Sequence, residues 1–212
     1  MDIFEAIEME DQASALALLE ADPAVATATS EEGATPVLHA MYHQNPEIAH
    51  ALADRIRASG GALSLAEAAG IDDADRVRAL VADGVDVDAR TADGFTPLQL
   101  AAFFGAPSSA DVLIGAGADV DAVAENAMRI QPLHAATAGR HGEIATRLIR
   151  AGANVNTAQR HGWTPLHTAA HHGDAALVAE LLAAGADTGA RNDDGRTPAD
   201  IAAEAGFPGI IG

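Results

Sequence analysis

Residues 162–185 read GWTPLHTAAHHGDAALVAELLAAG, and this stretch decides the fold. Thr164 is a natural helix N-cap, and Pro165 follows it at the first helical position, where a missing amide hydrogen costs nothing. Gly173 ends this short helix. A second helix is predicted after it, because apolar residues recur at the spacing of one helical face, at Leu177, Val178, Leu181 and Leu182. Gly185 then supplies the positive φ that terminates the second helix.

A glycine-led segment marks the end of such a helix pair four times. The copies are Gly84-Val-Asp-Val-Asp-Ala, Gly117-Ala-Asp-Val-Asp-Ala, Gly152-Ala-Asn-Val-Asn-Thr and Gly185-Ala-Asp-Thr-Gly-Ala. Successive glycines are 33, 35 and 33 residues apart. Self-similarity at this period is typical of stacked units, none of which can bury its apolar face alone.

The signature Thr-Pro-Leu-His-Thr-Ala at residues 164–169, the period and the glycine-led segment resemble those of ankyrin repeats. Near matches begin at Thr35, Thr96 and Gln131, so the resemblance covers nearly the whole chain. It implies an all-α solenoid of stacked helix-turn-helix units with short β-hairpin-like fingers on one side. It also implies a concave groove, formed by the first helices and the finger tips, that binds a partner protein.

Aligning the units predicts one array with two irregular fingers. The predicted divisions of residues 1–212 are an N-terminal capping unit 1–32, unit 2 over 33–60, a degenerate unit 3 over 61–93, units 4 to 6 over 94–128, 129–161 and 162–194, and a truncated C-terminal cap 195–212. Unit 3 has Leu63-Ser-Leu-Ala where Thr-Pro-Leu-His belongs. The finger before it is about five residues short, so we expect a missing or stunted finger there. The finger over residues 122–130 has two extra residues, and we expect a bulged tip.

The composition narrows the classes of partner. The chain has 31 acidic and 12 basic residues, a formal net charge of −19, and this field repels phosphate backbones, which argues against nucleic acid. No apolar run is long enough to span a bilayer, and the first residues lack the pattern of a signal peptide. Cysteine is absent, which fits a reducing compartment, so we expect a cytoplasmic protein. Every basic residue is arginine, a bias typical of GC-rich bacterial genomes.

The histidines suggest structure first and metal binding second. His134 and His167 occupy the signature position, where the resemblance implies that the ring braces neighbouring loops. His161, His171 and His172 offer a histidine-based metal site as a weaker alternative. No cysteine accompanies these three, and none of them stands four residues from another, the spacing at which helical histidines share a metal ion.

The sequence contains no recognisable catalytic constellation. The carboxylate pairs Asp72-Asp73 and Asp193-Asp194 lie in predicted turns, where aspartate is favoured because it bonds the backbone. Neither pair is expected to be buried, and raised carboxyl pKa values require burial. Nucleophile-elbow and phosphate-loop motifs are also missing. We therefore expect neither enzyme activity nor a cofactor.

Candidate binding residues follow from the resemblance, which places groove positions around each finger tip and late in each first helix. The predicted partner-binding residues are Tyr42, His43, Phe95, Phe103, Phe104, Met128, Arg129, Ile130, Arg140, Arg160, His161, Trp163, His171 and His172. Aromatic, methionine and arginine side chains are enriched in binding hot spots. Alternatively, Phe103 and Phe104 cover apolar helix surface or pack on a neighbouring finger. The arginines make the C-terminal part of the groove positive, against an acidic N-terminal end.

These observations predict a non-catalytic protein–protein interaction module that binds a partner protein through its groove. We expect a monomer that binds neither nucleic acid nor membrane, with weak self-association through the aromatic residues as an alternative. A second alternative is an accessory or inhibitory, immunity-like subunit of one neighbouring enzyme or toxin.

Overall fold

The computed structural model describes residues 1–211 as an all-helical chain. Gly212, the last residue of the predicted terminal unit 195–212, lies outside the described residues. Two 3-10 segments, Pro23–Thr27 and Arg160–Gly162, lie between the α-helices. The α-helices are α1 (Ile3–Glu8), α2 (Gln12–Ala21), α3 (Pro36–Tyr42), α4 (Pro46–Ala58), α5 (Leu65–Gly70), α6 (Ala74–Ala82), α7 (Pro97–Phe104), α8 (Pro107–Gly115), α9 (Pro132–Ala138), α10 (Gly142–Arg150), α11 (Pro165–His172), α12 (Ala175–Ala183) and α13 (Pro198–Glu204).

The helices form two rows of neighbours. The first row runs in the order α1, α3, α5, α7, α9, α11 and α13, and each helix contacts the one that follows it in this row. In the second row, α2 contacts α4. Helix α6 contacts α8, α8 contacts α10, and α10 contacts α12. Both rows contribute leucines that are fully buried: Leu98, Leu133 and Leu166 from the first, and Leu113, Leu148 and Leu181 from the second. Each unit therefore completes the apolar core of its neighbour.

The first-row helices other than α3 begin with a repeated capping arrangement. Gln99 Oε1 accepts a hydrogen bond from the Thr96 amide (2.7 Å), and Thr96 Oγ1 accepts one from the Gln99 amide (3.3 Å). In α5 the same pair is Ser64 and Glu67. Ser64-Leu-Ala-Glu therefore stands where Thr-Pro-Leu-His is found elsewhere. The predicted register that starts at Leu63 is wrong by one residue, because the capping hydroxyl belongs to Ser64.

The loops expected to form β-hairpin-like fingers contain no strand within residues 1–211. One backbone hydrogen bond closes a tip, from the Thr91 amide to the Phe95 carbonyl (2.9 Å). A further amide bonds the neighbouring tip instead, as Glu125 does to the Gly94 carbonyl (2.9 Å). Backbone bonds are thus divided between closing a tip and joining adjacent tips. Too few remain within one loop to form the ladder of a β-hairpin.

The short polar residues of the glycine-led segment link one unit to the next. The first accepts a hydrogen bond from the amide two residues on, as Asp119 Oδ1 does from Asp121 (2.9 Å). The second accepts from the following unit. Asp121 Oδ1 thus bonds the Asn154 amide (2.9 Å), and Asn156 Oδ1 bonds the Asp187 amide (2.8 Å). The periodic motif is therefore a chain of side-chain acceptors for loop amides that the helices leave unpaired.

The junction between α4 and α5 departs from this pattern. Helix α4 has 13 residues, whereas α6, α8, α10 and α12 have nine each. Only four positions separate Gly60 from Ser64, whereas twelve separate Gly84 from Thr96. The loop is thus eight positions shorter, and one extra helical turn makes up half of the difference. The finger is missing, and a cavity of about 870 Å³ opens between the flanking loops.

Replacing Asp121 by Ala removes the acceptor that joins two consecutive units. We expect the free energy of unfolding to fall by about 1 kcal/mol, the net value of a typical hydrogen bond, as measured by urea denaturation. Asp83→Ala is the matched control, because Asp83 is an exposed loop aspartate whose side chain makes no hydrogen bond or ion pair within residues 1–211. Equal losses in the two variants would contradict a role for the linking bond.

Candidate functional site

Two signature histidines connect consecutive units. The Nδ1 atom of His167 accepts a hydrogen bond from the Thr164 amide (3.2 Å), and its Nε2 donates to the Arg196 carbonyl (3.1 Å). The Nε2 atom of His134 bonds the Thr157 carbonyl in the same way (2.9 Å). A neutral ring with its proton on Nε2 satisfies this pattern. Burial lowers the pKa of both rings, that of His134 to about 4, which keeps them neutral at pH 7.

Other side chains at the histidine position show what the position requires. Gln99 accepts from its N-cap amide and donates from Nε2 to two carbonyls of the following loop, each at 2.8 Å. Glu67 acts only as an acceptor, and one of its donors is the Thr35 hydroxyl of the preceding unit (2.8 Å). Within residues 1–211 its carboxyl oxygens bond Thr35 and Ser64 and no group of the following loop. Glu67 therefore bonds backward, and the cavity beside the missing finger opens next to it.

Three of the predicted aromatic contacts pack against each other. The Tyr42 ring centroid lies 5.2 Å from that of Phe104 and 6.4 Å from that of Phe95. The Tyr42 hydroxyl donates to Asp93 Oδ2 (2.6 Å), and burial, followed by this bond, raises the pKa of Tyr42. Phe95 is only 6% exposed and therefore offers a partner little free surface. The expectation of a free Phe95 anchor is wrong, because the ring is part of an apolar cluster with Leu38.

Phe103 and Phe104 face different surroundings although they are adjacent. Phe104 is half-buried and packs over Gly70 of α5, where an added Cβ would lie 3.3 Å from its ring. Phe104 therefore fills space left by a glycine of the preceding unit, in line with the alternative that it covers apolar helix surface. Phe103 is 40% exposed, and its ring centroid lies 5.2 Å from that of Phe104. Phe103 has free surface for a partner, whereas Phe104 supports it from below.

A second group of predicted residues gathers at α11. The half-buried ring of Trp163 lies 5.8 Å from that of His171 and 6.0 Å from that of His167. The rings of His171 and His172 are 5.7 Å apart. Burial and then the positive charge of Arg140 lower the pKa of His172. Trp163 and His171 therefore form an aromatic surface with basic charge beside it.

Arginine side chains extend this surface. Arg129, Arg140 and Arg160 are exposed and form no ion pair with any of residues 1–211. Arg140 has a φ of 61°, in the left-handed region. Gly105 occupies the equivalent turn with a φ of 76°. A side chain in this conformation costs about 1 kcal/mol relative to glycine, so the Arg140 side chain is held at an energetic cost.

The loop between α8 and α9 carries the remaining predicted contacts. The Ala124 amide bonds the Ile130 carbonyl (2.9 Å), so this tip encloses two residues more than the tip closed by Thr91 and Phe95. Met128 is 49% exposed within it, whereas the side chain of Ile130 is half-buried.

A pocket of about 650 Å³ lies between this lengthened loop and α3. Its lining includes four of the predicted partner-binding residues: Tyr42, His43, Phe95 and Met128. Four acids also line it, namely Glu8, Glu32, Asp93 and Glu125. The N-terminal part of the predicted surface is therefore a pocket with acidic walls and an aromatic floor.

The histidines proposed as a metal site are not those that the fold brings together. Within residues 1–211, the group whose ligand atoms meet is Glu8, His39 and His43. Neither Glu8 nor His39 is among the predicted binding residues. The sequence contains part of this group in recognisable form, because His39 and His43 stand four residues apart and therefore share one helix face. Glu8 is brought to them only by the contact between α1 and α3.

Comparison with protein families identifies the repeated unit. A model of ankyrin repeats (three copies) matches residues 133–211, and a second model of ankyrin repeats (many copies) matches residues 72–114. These segments are ankyrin repeats. Ankyrin repeats are generally protein–protein interaction modules, typically non-enzymatic, and no catalytic domain is shown in the chain. The family resemblance drawn from the signature at residues 164–169 is confirmed.

No helix within residues 1–211 has both the length and the apolar character needed to cross a membrane.

The titration of His134 gives a prediction about pH. Its pKa is about 4 in the folded chain and about 6.5 when unfolded, so the unfolded chain binds more protons between these values. The free energy of unfolding should therefore fall as pH drops from 6.5 towards 4, by up to about 3 kcal/mol from this residue. His134→Gln should reduce that fall, because Gln99 shows that glutamine makes the same bonds without titrating. Denaturant titrations at several pH values measure the free energy of unfolding of both chains. If His134→Gln has the same pH dependence as the unmodified chain, His134 is not the group that causes the fall.

The two adjacent phenylalanines should respond differently to truncation. Phe104→Ala empties the space above Gly70, and we expect the free energy of unfolding to fall by about 2–3 kcal/mol. Phe103→Ala removes a largely exposed ring and should cost less than about 1 kcal/mol. Thermal and urea denaturation compare the two variants. A larger loss of unfolding free energy for Phe103→Ala than for Phe104→Ala would contradict this prediction, because it would make Phe103 the packed ring and Phe104 the free one.

Proposed function

We propose that the chain is a non-catalytic interaction module that binds a partner protein through one continuous face, the groove face. This face comprises Phe103, Met128, Arg129, Arg140, Arg160, His161, Trp163 and His171. The observation that carries the proposal is the exposure of large apolar side chains beside arginines that have no ion-pair partner within residues 1–211. Phe103 and Met128 are 40% and 49% exposed, and these residue types are enriched in binding hot spots.

The supporting residues explain how such a face can be held in place. Phe103 packs against Phe104, which in turn packs against Tyr42, so the exposed ring contacts a ring that is itself held by another. Trp163 rests on His167, whose bonds to two units fix its orientation. Side chains that are ordered before binding lose less conformational entropy when a partner arrives. Pre-ordered anchors therefore favour binding without rearrangement of the chain.

The two ends of the groove face differ in charge. Its C-terminal part carries Arg129, Arg140 and Arg160, whereas the adjoining pocket has acidic walls. We infer a partner that presents acidic groups to the arginines and basic groups to the pocket. Such complementarity mainly increases the association rate and selects the orientation. We further propose a reducing cytoplasmic location, because cysteine is absent, and a GC-rich bacterial source, because every basic residue is arginine.

The test compares two double variants of the same composition. Phe103→Ala with Met128→Ala removes contacts from the groove face. Phe207→Ala with Met9→Ala removes the same residue types elsewhere, where they are 42% and 71% exposed. Immobilised chains capture partners from an extract of the native source, and calorimetry with the purified partner gives the affinity. We expect the groove variant to bind at least about 100-fold more weakly, because hot-spot truncations each cost about 2 kcal/mol or more.

Circular dichroism and melting temperatures must show that both double variants remain folded. Full affinity in the groove variant, or an equal loss in the control variant, would contradict the proposal. If the captured partner is an enzyme, its activity with and without the chain distinguishes an adaptor from an accessory or inhibitory subunit. Light scattering of the chain alone tests self-association through Phe103.

A further inference from the structure

The side chain of His39 has a buried nitrogen atom without a hydrogen-bond partner. His39 lies in the middle of α3 and is only 5% exposed. Its Nε2 atom is buried and makes no hydrogen bond. Oε1 of Glu8 lies 3.4 Å from it. A buried polar atom that is left unpaired costs about 1–3 kcal/mol, so its position calls for a ligand.

Two further ligands surround this nitrogen. His43 lies one helical turn after His39, and their ring centroids are 4.4 Å apart. Glu8 is the last residue of α1, which contacts α3. One ligand atom from each of the three residues lies within 4.8 Å of the other two. The group opens into the acidic pocket of about 650 Å³, which leaves room for a water molecule as a fourth ligand.

We propose that Glu8, His39 and His43 bind a divalent transition-metal ion of the zinc type. Two imidazole nitrogens and one carboxylate oxygen are a ligand set that Zn²⁺ uses with water in the fourth position. Bond lengths of about 2.0–2.2 Å place tetrahedral ligands roughly 3.4 Å apart. Glu8 Oε1 and His39 Nε2 already lie 3.4 Å apart, so only the distances to the His43 ring, at most 4.8 Å, need to shorten. Glu8 and His43 are exposed side chains and can rotate, whereas buried His39 fixes the position of the ion.

The surroundings favour a cation at this point. Glu32 lines the same pocket, and the chain as a whole has a formal net charge of −19. The edge of Phe4 packs against His39, with ring centroids 5.1 Å apart, and limits rotation of the imidazole. A bound ion would join α1 to α3 and pin the N-terminal end of the array.

Zinc alone, added to metal-stripped protein without a histidine tag, provides the direct test. Isothermal titration calorimetry should give one site per chain, and the melting temperature should rise with free zinc because the ion binds the folded state. Cobalt(II) in place of zinc should give the intense visible absorption of tetrahedral coordination. His43→Asn and Glu8→Gln change exposed ligands without disturbing the core. Each should weaken zinc binding at least about 100-fold, since even residues that only orient a ligand cost 10–100-fold.

The matched control is His50→Asn, because His50 is an exposed histidine on α4 outside the proposed group. It should retain the zinc affinity and the melting shift of the unmodified chain. The proposal is overturned if zinc at millimolar concentration produces neither heat nor a melting shift. It is equally overturned if His43→Asn binds as tightly as the control, which would place the metal on other histidines or on exposed acids. These outcomes are independent of partner binding, since Phe103 and Met128 are unchanged.

Discussion

The hydrogen bonds that pass from one unit to the next are the constraint on which the rest of the structure depends. His134 and His167 each reach a carbonyl of the following loop, and Asp121 and Asn156 each receive an amide from it. Both kinds of bond satisfy backbone groups that the short helices leave free, and both are available only when the neighbouring unit is in place. Apolar stacking supplies the driving force, while these bonds set the register between units.

The same constraint explains where the array departs from regularity. The Glu67 carboxyl bonds Thr35 and Ser64 rather than the following loop, and the loop in front of α5 is eight positions shorter than the one between Gly84 and Thr96. A cavity of about 870 Å³ opens at this junction. Next to this junction, Phe104 packs over Gly70, and Phe95 lies in an apolar cluster with Leu38. The unit that has Glu67 at the histidine position is thus followed by a unit whose Phe104 packs back onto it at Gly70.

The sequence predicted whatever depends on local chemistry and period. The glycine spacing, the caps and the leucine pattern identify the helix pairs, because each acts within a few residues of its own unit. Burial of Phe95 could not be foreseen, since it depends on side chains of the two preceding units, among them Leu38 and Tyr42. The register at Ser64 was missed because leucine stands where proline is found elsewhere. Glu8 and His39 meet only through the packing of α1 on α3, so one helix-spaced histidine pair was the sole local sign.

We propose that partner binding uses side chains that stacking does not require: the exposed rings of Phe103 and His171, the Met128 side chain, and the exposed arginines Arg129, Arg140 and Arg160. Hydrogen–deuterium exchange of the chain, with and without its purified partner, tests this most directly. Slower exchange on binding is predicted in residues 124–131 and 158–164 and at the ends of α7 and α11. Slower exchange confined to α8, α10 and α12 would place the partner on the opposite row of helices and contradict the proposed binding face.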